Sequence, residues 1–332
     1  MQQNSTEKEP QHSGKTHGGK KHRTLVWLTV ALAFIVIGGM LTGIGYLSGG
    51  KLSGFSLVWQ DGGLSAVSGS DETTVMQISD ILSEDIPGMS GDILSAGEII
   101  SGLKINAGNA SITVAPARPG ETPVLRLRNL KGETEFSDGT LVIRAQDARR
   151  QGKDRAIRIF DVVDISIKEI DIRLPSGSLD SVALETSNGR IHIEDMDFTE
   201  GTLFTSNGVI SMENTNFSKG SLSTSNGRIS LSDTGWDTLD ARTSNARVDI
   251  SGARAGEGRT SIETSNGRVH LGLLGNEDDF SYTIFTSNGS IDVNGGRQRG
   301  ARGDTLRGGT GAHQIWIQTS NSRVNLEFEK GF

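Results

Sequence analysis

Arginine recurs at one place in a repeated phrase of this sequence, two residues after an asparagine. A guanidinium group binds a phosphate or a carboxylate through two parallel hydrogen bonds, so arginines at a fixed spacing could hold an anionic polymer. The arginines are Arg190, Arg228, Arg247, Arg268 and Arg323, while Val209 and Ser290 take the same place in two further copies. The alternative is an ordinary solvated face, whose charge would be neutralised by Glu185, Asp249 and Glu263.

A second group of arginines lies in a segment rich in Gly and Arg, residues 294–313. We expect this segment to be an exposed loop at one corner of the repeat, whose cations could also bind an anionic polymer. Its arginines are Arg297, Arg299, Arg302 and Arg307. Residues 302–304 are Arg-Gly-Asp, which resembles the integrin-binding tripeptide, but a stretch of this composition produces that match by chance.

Catalysis is the other chemistry that the residues could support. Glu194 and Glu213 both follow an asparagine by six residues, so they should lie one repeat apart, as paired glycosidase carboxylates would. The next two copies carry serine there, which makes a stacking column the simpler explanation. His192 and His270 share a column but lie roughly 19 Å apart at the rise of a stack, too far to bind one metal ion. The chain has no cysteine, and we predict no catalytic residues, no metal and no cofactor.

The phrase that positions these residues is Thr-Ser-Asn-Gly, followed by a variable residue and an aliphatic one. Successive asparagines are 19, 19, 19, 21, 22 and 33 residues apart, and a period near twenty is typical of stacked coils. Aliphatic residues alternate with polar ones on both sides of the asparagine, which indicates two short strands per copy. We predict an all-β fold, a parallel β-solenoid with coils of 19–22 residues, whose asparagines form a ladder of stacked amides. These asparagines are Asn188, Asn207, Asn226, Asn245, Asn266, Asn288 and Asn321.

Each Asn-Gly pair predicts a sharp bend, because these residues adopt positive φ at the lowest cost. A two-residue hairpin is the alternative, but separate hairpins would leave the aliphatic columns without a second layer. Two degenerate copies extend the solenoid towards the N-terminus. One is Leu103–Val114, with Asn109 in the asparagine position, and the other is Phe136–Ile143, with Asp138-Gly139 as the bend.

The N-terminal quarter of the chain predicts a membrane anchor. Residues 1–24 form a tail of net charge +3, from five basic and two acidic residues. Leu25–Leu47 carries no charge over 23 residues, enough for one transmembrane helix, although a cleaved signal peptide is the alternative. The basic residues before this helix place the tail in the cytoplasm and the remainder outside the cell.

Beyond the anchor we expect a linker that could cap the first coil, residues 48–101, and an extracellular solenoid, residues 102–332. The chain after residue 24 has 28 basic and 38 acidic residues, a net charge of −10. This acidic balance argues against a nucleic-acid partner.

Leu103–Val114, the strand that ends at Leu174-Pro175, and the Thr-Ser-Asn-Gly copies from Thr186 to Leu326 carry a family resemblance. They resemble the bacterial putative-adhesin family of membrane-anchored β-solenoids, whose LiaG-like members belong to cell-envelope stress loci. The resemblance implies a surface protein of adhesive or uncharacterised role, with no catalytic residues to transfer. The segment 294–313 departs from the family pattern.

These observations favour a single-pass membrane protein at the bacterial cell surface that binds or scaffolds a cell-envelope polymer and is not an enzyme. One alternative is a glycan-processing β-helix enzyme. The other is an accessory protein of a membrane signalling system, which would contact its partners through Leu25–Leu47.

Overall fold

The structure is a computed structural model that describes residues 55–60, 63–68, 73–85, 100–147, 157–161, 167–175, 177–298 and 305–329. Within these ranges, no helix has the length and apolar character needed to span a bilayer. The predicted transmembrane segment Leu25–Leu47 and the basic tail before it lie outside the described residues. Arg299 and Arg302 of the Gly/Arg-rich segment lie outside them as well.

The described residues are almost entirely β-strand. The strands are β1 (Phe55–Gln60), β2 (Gly63–Ser68), β3 (Thr73–Gln77), β4 (Gly102–Asn106), β5 (Ser111–Pro116), β6 (Val124–Arg128), β7 (Leu130–Ser137), β8 (Thr140–Asp147), β9 (Ile157–Asp161), β10 (Glu169–Leu174), β11 (Ser178–Thr186), β12 (Ile191–Glu194), β13 (Asp197–Thr205), β14 (Ile210–Glu213), β15 (Asn216–Thr224), β16 (Ile229–Ser232), β17 (Gly235–Thr243), β18 (Val248–Thr264), β19 (Val269–Leu274), β20 (Phe280–Thr286), β21 (Ile291–Val293), β22 (Gly296–Gln298), β23 (Thr305–Gly309), β24 (His313–Thr319) and β25 (Val324–Glu329). Helix α1 (Ile78–Asp85) follows β3, and a 3-10 turn (Glu277–Asp279) precedes β20.

The chain divides into two compact units. The smaller unit contains β1, β2 and β9, which form an antiparallel sheet in the order β2–β1–β9. The larger unit contains the other described strands and α1, and all the Thr-Ser-Asn-Gly copies belong to it.

Each coil of the larger unit consists of a long strand, the Thr-Ser-Asn-Gly corner and a short strand. The long strands pair in parallel in the order β8–β4–β11–β13–β15–β17–β18–β24–β20, here named the long-strand sheet. The short strands pair in parallel in the order β10–β5–β12–β14–β16–β18–β19–β25–β21, the short-strand sheet. Strand β18 contributes its first part to the short-strand sheet and its last part to the long-strand sheet. The predicted parallel stack of coils is confirmed, and separate hairpins are excluded for these copies.

The core is formed by aliphatic columns that face inward from both sheets. Ile191, Ile210 and Ile229 are register partners in neighbouring short strands, and all three are fully buried. Each such side chain stabilises the fold by about 1.5–3 kcal/mol through burial. Because like residues stack on like, one continuous apolar cluster runs through the coils.

The coils are not stacked in the order of the chain. The coil of Asn321 lies between the coils of Asn266 and Asn288, because β24 pairs with both β18 and β20. Strand β25 likewise pairs with both β19 and β21. The order of the copies in the sequence is therefore not their order in space at the C-terminal end of the stack.

The Asn-Gly pairs of the Thr-Ser-Asn-Gly copies bend the chain without positive φ, so the predicted reason for these residues is wrong. Among the described residues, positive φ occurs instead at the opposite corner, as at Asp195, Asn214 and Asp233 (54°, 48° and 51°). Glycine gives space for the neighbouring coil at this corner: a Cβ atom on Gly227 would lie 1.5 Å from the carbonyl oxygen of Gly208. Ala246 and Ser322 take the same place in two other copies. The corners of adjacent coils are thus packed backbone against backbone.

Two positive-φ turns do form hairpins, at the two ends of the stack. Asp138 and Gly139 (50° and 72°) connect β7 to β8 as an antiparallel pair, so the interpretation of Phe136–Ile143 as a coil copy is wrong. Asn294 and Gly295 (50° and 76°) connect β21 to β22 in the same way. The antiparallel strands cover sheet edges that would otherwise be open to pairing.

Residues 73–85 belong to the packed unit rather than to a linker. Strand β3 pairs antiparallel with β6 at the end of the short-strand sheet. Ile78 and Leu82 of α1 are buried in the same apolar cluster as the coils. Part of the segment 48–101, which we expected to be a linker that could cap the first coil, therefore covers one end of the stack.

Aromatic rings also stack from coil to coil. The ring centroids of Phe198 and Phe217 lie 5.4 Å apart, and those of Phe217 and Trp236 lie 6.0 Å apart. All three side chains are buried. The aromatic stack thus adds a further column of apolar contacts between neighbouring coils.

A buried chain of hydrogen bonds begins at the last ring of this stack. The indole Nε1–H of Trp236 donates to Thr260 Oγ1 at 2.8 Å, and this hydroxyl lies 2.8 Å from Nε2 of His313. His313 Nδ1 lies 2.6 Å from the carbonyl oxygen of Gly256, so Nδ1 carries the proton and Nε2 accepts from the hydroxyl. Burial lowers the pKa of His313, although the Gly256 carbonyl and the charge of Asp237 oppose that effect.

The close approach of the corners predicts a strong effect of one added methyl group. We expect Gly227→Ala to lower the free energy of unfolding by about 3 kcal/mol, because the backbone of the adjacent coil must move. Ala246 occupies the same place in the next coil, so Ala246→Gly is the matched control and should cost less than about 1 kcal/mol. Urea unfolding measures both, and equal costs would contradict a packing role for the glycine.

The lowered pKa of His313 predicts loss of stability in acid. The unfolded chain takes up a proton near the ordinary histidine pKa of about 6.5, whereas the folded protein takes it up only at lower pH. The contribution of His313 to stability is therefore present above a pH of about 6.5 and is lost as the pH falls below that value. We expect Tm to fall between pH 7.5 and pH 5.5, and to fall less in His313→Asn. An equal fall in both proteins would exclude this histidine as the cause.

Candidate functional site

The asparagines of the repeat form a continuous hydrogen-bonded ladder along one corner of the stack. Each Nδ2 group donates to the Oδ1 atom of the asparagine in the next coil, over distances of 2.5–3.1 Å. Asn109 extends the ladder at one end. The spatial order is Asn109, Asn188, Asn207, Asn226, Asn245, Asn266, Asn321 and Asn288.

The threonine of the repeat holds the same corner from the inside. The buried Thr205 hydroxyl accepts a hydrogen bond from the Gly208 N–H at 3.1 Å and donates to the Gly189 carbonyl at 3.2 Å. One bond closes the corner of its own coil, and the other joins the neighbouring coil. The asparagine ladder and the threonines together fix the backbone position from which the arginine side chain of the motif projects.

Four of the predicted arginines lie on successive coils without interruption. Backbone N–H groups of the adjacent coils donate to the carbonyls of Arg247, Arg268 and Arg323 and so set this register. The spatial order of the column is Arg190, Val209, Arg228, Arg247, Arg268, Arg323 and Ser290. Because neighbouring strands in a sheet are about 4.8 Å apart, this places one cation per coil. We name Arg228, Arg247, Arg268 and Arg323 the four-arginine row.

The inserted last coil makes this row longer than the sequence order indicates. In chain order Ser290 separates Arg268 from Arg323, whereas in space Arg323 lies directly beside Arg268 and Ser290 follows at the end. The Arg323 Nε group donates to Ser290 Oγ at 3.4 Å. The sequence contains one indication of this order of coils. The 33-residue step between Asn288 and Asn321 is long enough for the chain to pass over one coil.

Most arginines of the four-arginine row are not neutralised by a salt bridge. Arg247, Arg268 and Arg323 are exposed and Arg228 is half-buried. Arg247 Nε lies 3.8 Å from Asp249 Oδ2. Within the described part of the chain, Arg228, Arg268 and Arg323 have no ion-pair partner.

The acidic residues that could have neutralised the row are mostly engaged elsewhere. Glu263 pairs with Arg242 at 3.4 Å, and Glu185 accepts a hydrogen bond from Asn106 at 3.2 Å. Of the three acids in the alternative interpretation, Asp249 alone contacts an arginine of the row among the described residues. The row can therefore offer free guanidinium donors to an external anion.

The arginines of the segment 294–313 do not join the row. This segment is partly strand: β22 pairs antiparallel with β21, and β23 pairs antiparallel with β20. Arg297 lies in β22, at the edge of the short-strand sheet. Arg307 lies in β23 opposite Thr283, on the long-strand sheet. The prediction of one exposed loop is thus corrected for the described residues.

The predicted carboxylate column is present on the outer face of the short-strand sheet. Glu194 and Glu213 are register partners on adjacent strands, and Glu194 lies 3.8 Å from His192 Nε2. His270 lies 3.2 Å from the Asn325 amide nitrogen instead of near another histidine. In the ranges that the structure describes, no three His, Cys, Asp or Glu side chains form a group suited to a metal ion.

The parallel coils, the capped ends and the asparagine ladder define a repeat, β-solenoid-like, all-β domain. Residues 100–327 match the family described as Toastrack DUF4097, and the chain belongs to this family. This confirms the resemblance that the sequence carries. A comparison with curated proteins finds no match.

A comparison with solved structures finds bacterial proteins to which this chain is similar at low sequence identity. A putative adhesin from Bacteroides fragilis NCTC 9343 is 10% identical, covers 78% of this chain and 97% of its own, and has a TM-score of 0.40. A putative cell adhesion protein from Clostridium sporogenes ATCC 15579 is 12% identical over 78% and 100% of the two chains (TM-score 0.31). A putative lipid binding protein from Parabacteroides distasonis ATCC 8503 is 13% identical over 80% and 98% (TM-score 0.31).

The ladder predicts a position-dependent cost of removing one amide. Asn226 makes two ladder bonds and Asn288 makes one. We expect Asn226→Ala to lower the free energy of unfolding by about 1–2 kcal/mol and Asn288→Ala by about half as much. Denaturant titrations of the two variants give the comparison. A larger loss for Asn288→Ala would show that the ladder bonds do not determine stability at this corner.

Proposed function

We propose that this Toastrack-family protein binds linear anionic polymers of the bacterial cell envelope along the four-arginine row. The observation that carries the proposal is the run of four arginines on consecutive coils, three of them without an acidic partner among the described residues. Phosphate or carboxylate groups that recur along a polymer, as in a teichoic acid or another wall glycan, are the matching ligands.

The geometry favours a polymer over a small ligand. The cations recur once per coil, on backbone positions about 4.8 Å apart. The asparagine ladder and the buried threonines set this spacing before any ligand arrives, which lowers the cost of ordering the site on binding. Serine hydroxyls next to the asparagines, at Ser225 and Ser244, can add hydrogen bonds to the bound chain.

The proposal includes membrane attachment through Leu25–Leu47, with the solenoid outside the cell. Its support is the uncharged 23-residue run and the basic residues that precede it. On such a protein the row acts passively: it retains a polymer near the membrane and performs no reaction. A glycan-processing enzyme and a signalling accessory protein are the competing functions.

The proposal predicts that removal of adjacent charges weakens polymer binding. We expect Arg228→Gln combined with Arg247→Gln to raise the Kd for a purified poly(glycerol phosphate) teichoic acid by at least tenfold, since two charge-assisted contacts are lost. Binding should weaken further as the salt concentration rises. Calorimetric titration of the full-length chain measures both, with neutral dextran as the control polymer.

The same column supplies matched controls. Arg190 is separated from the row by Val209, so Arg190→Gln should change the Kd far less than Arg247→Gln. Val209→Arg joins Arg190 to the row and should tighten binding. If the double variant binds the teichoic acid as the native chain does, the row is not the binding site. Release of shortened polymer during the incubation would instead establish the enzyme.

A further inference from the structure

A cavity of about 840 Å³ lies on the outer face of the long-strand sheet, where β18, β24, β20 and β23 lie side by side. Ligand pockets in proteins usually measure about 300–1,000 Å³. The lining of this cavity contains none of the residues of the four-arginine row, which lie at the Thr-Ser-Asn-Gly corners. A ligand bound there would be recognised independently of the row.

The cavity is built around one tryptophan with unused bonding capacity. Trp316 lies in β24 between Ser261 of β18 and Thr283 of β20, so small side chains flank the half-buried indole on both sides. In the described part of the chain, Trp316 has no ring partner and no acceptor for its Nε1–H. An aromatic ring with an apolar face and a free polar tip is suited to a ligand of the same mixed character.

Two uncommitted cations border the same cavity. Arg259 and Arg307 line it, and neither has an ion-pair partner in the ranges that the structure describes. Arg242, also in the lining, differs because it pairs with Asp240 at 2.7 Å and with Glu263 at 3.4 Å. The free guanidinium groups therefore give the cavity a preference for an anion.

We propose that this cavity binds a carboxylated sugar residue of a polysaccharide. The apolar C–H face of the sugar ring packs on Trp316, and the carboxylate pairs with Arg259 and Arg307. Gln314 and Ser281, which also line the cavity, hydrogen-bond the ring hydroxyls. A simple inorganic anion would use the arginines but leave the indole without a partner, so the ring favours a sugar.

The site depends on the inserted coil. Trp316 and Arg307 lie on the same face of the sheet as Arg259, one and three strands away from it, because β24 lies between β18 and β20 and β23 pairs with β20. Sequential stacking of the copies would have placed β20, rather than the tryptophan strand, next to β18.

A short acidic oligosaccharide tests the proposal on the full-length chain. We expect trigalacturonate to bind, with a change in tryptophan fluorescence, and neutral galactotriose to bind at least tenfold more weakly. Trp316→Ala and the double variant Arg259→Gln with Arg307→Gln should each weaken trigalacturonate binding by on the order of tenfold or more. Trp316→Phe, which keeps a ring, should retain most of the affinity.

Two controls separate this site from the row and from misfolding. The double variant of Arg228 and Arg247 should keep the part of the tryptophan fluorescence change that Trp316→Ala abolishes, because that signal reports on the cavity and not on the row. All variants should keep the native Tm within a few degrees. The proposal is overturned if the native chain does not bind trigalacturonate, or if the variant without Trp316 binds it unchanged. The proposal is also overturned if only the double variant of Arg228 and Arg247 loses binding, because trigalacturonate would then bind at the four-arginine row and not in the cavity.

Discussion

The backbone contact between the corners of neighbouring coils is the constraint on which the rest of this structure depends. At that corner a glycine lies so close to the next carbonyl oxygen that a Cβ atom would clash with it unless the backbone moved, as at Gly227 against Gly208. The buried Thr224 hydroxyl joins both coils, and Asn226 bonds to the asparagines on either side. Because all these contacts require the same register, each coil is fixed against its neighbour without a slip.

That register converts a one-dimensional repeat into columns of side chains. A residue at a given place in one copy meets the residue at the same place in the adjacent copy, so aliphatic residues form a core and arginines form a row. Self-repulsion within a row of like charges has a cost, which here is reduced by exposure to water and by Asp249 beside Arg247.

The ends of the stack follow different rules from its middle. Strands β7, β22 and β23 run antiparallel to their neighbours, and β3 with α1 covers the other end of the short-strand sheet. These additions protect edges that identical coils would leave open to further pairing. They also create the irregular surface at β20 and β23, and that irregularity shapes the cavity beside Trp316.

The sequence by itself determined the fold class, the period of the coils, the inward and outward faces, the asparagine ladder and the family. These features depend on alternation within a copy and on like residues meeting like, and both are visible in one dimension. It could not distinguish which copy lies next to which, because copies with the same motif offer nearly the same contacts to any neighbour. The tertiary structure decided that the coil of Asn321 lies between those of Asn266 and Asn288, since the hairpin strands β22 and β23 occupy the outer edge. The unbroken arginine row and the cavity around Trp316 both result from that choice of neighbours, which no local pattern encodes.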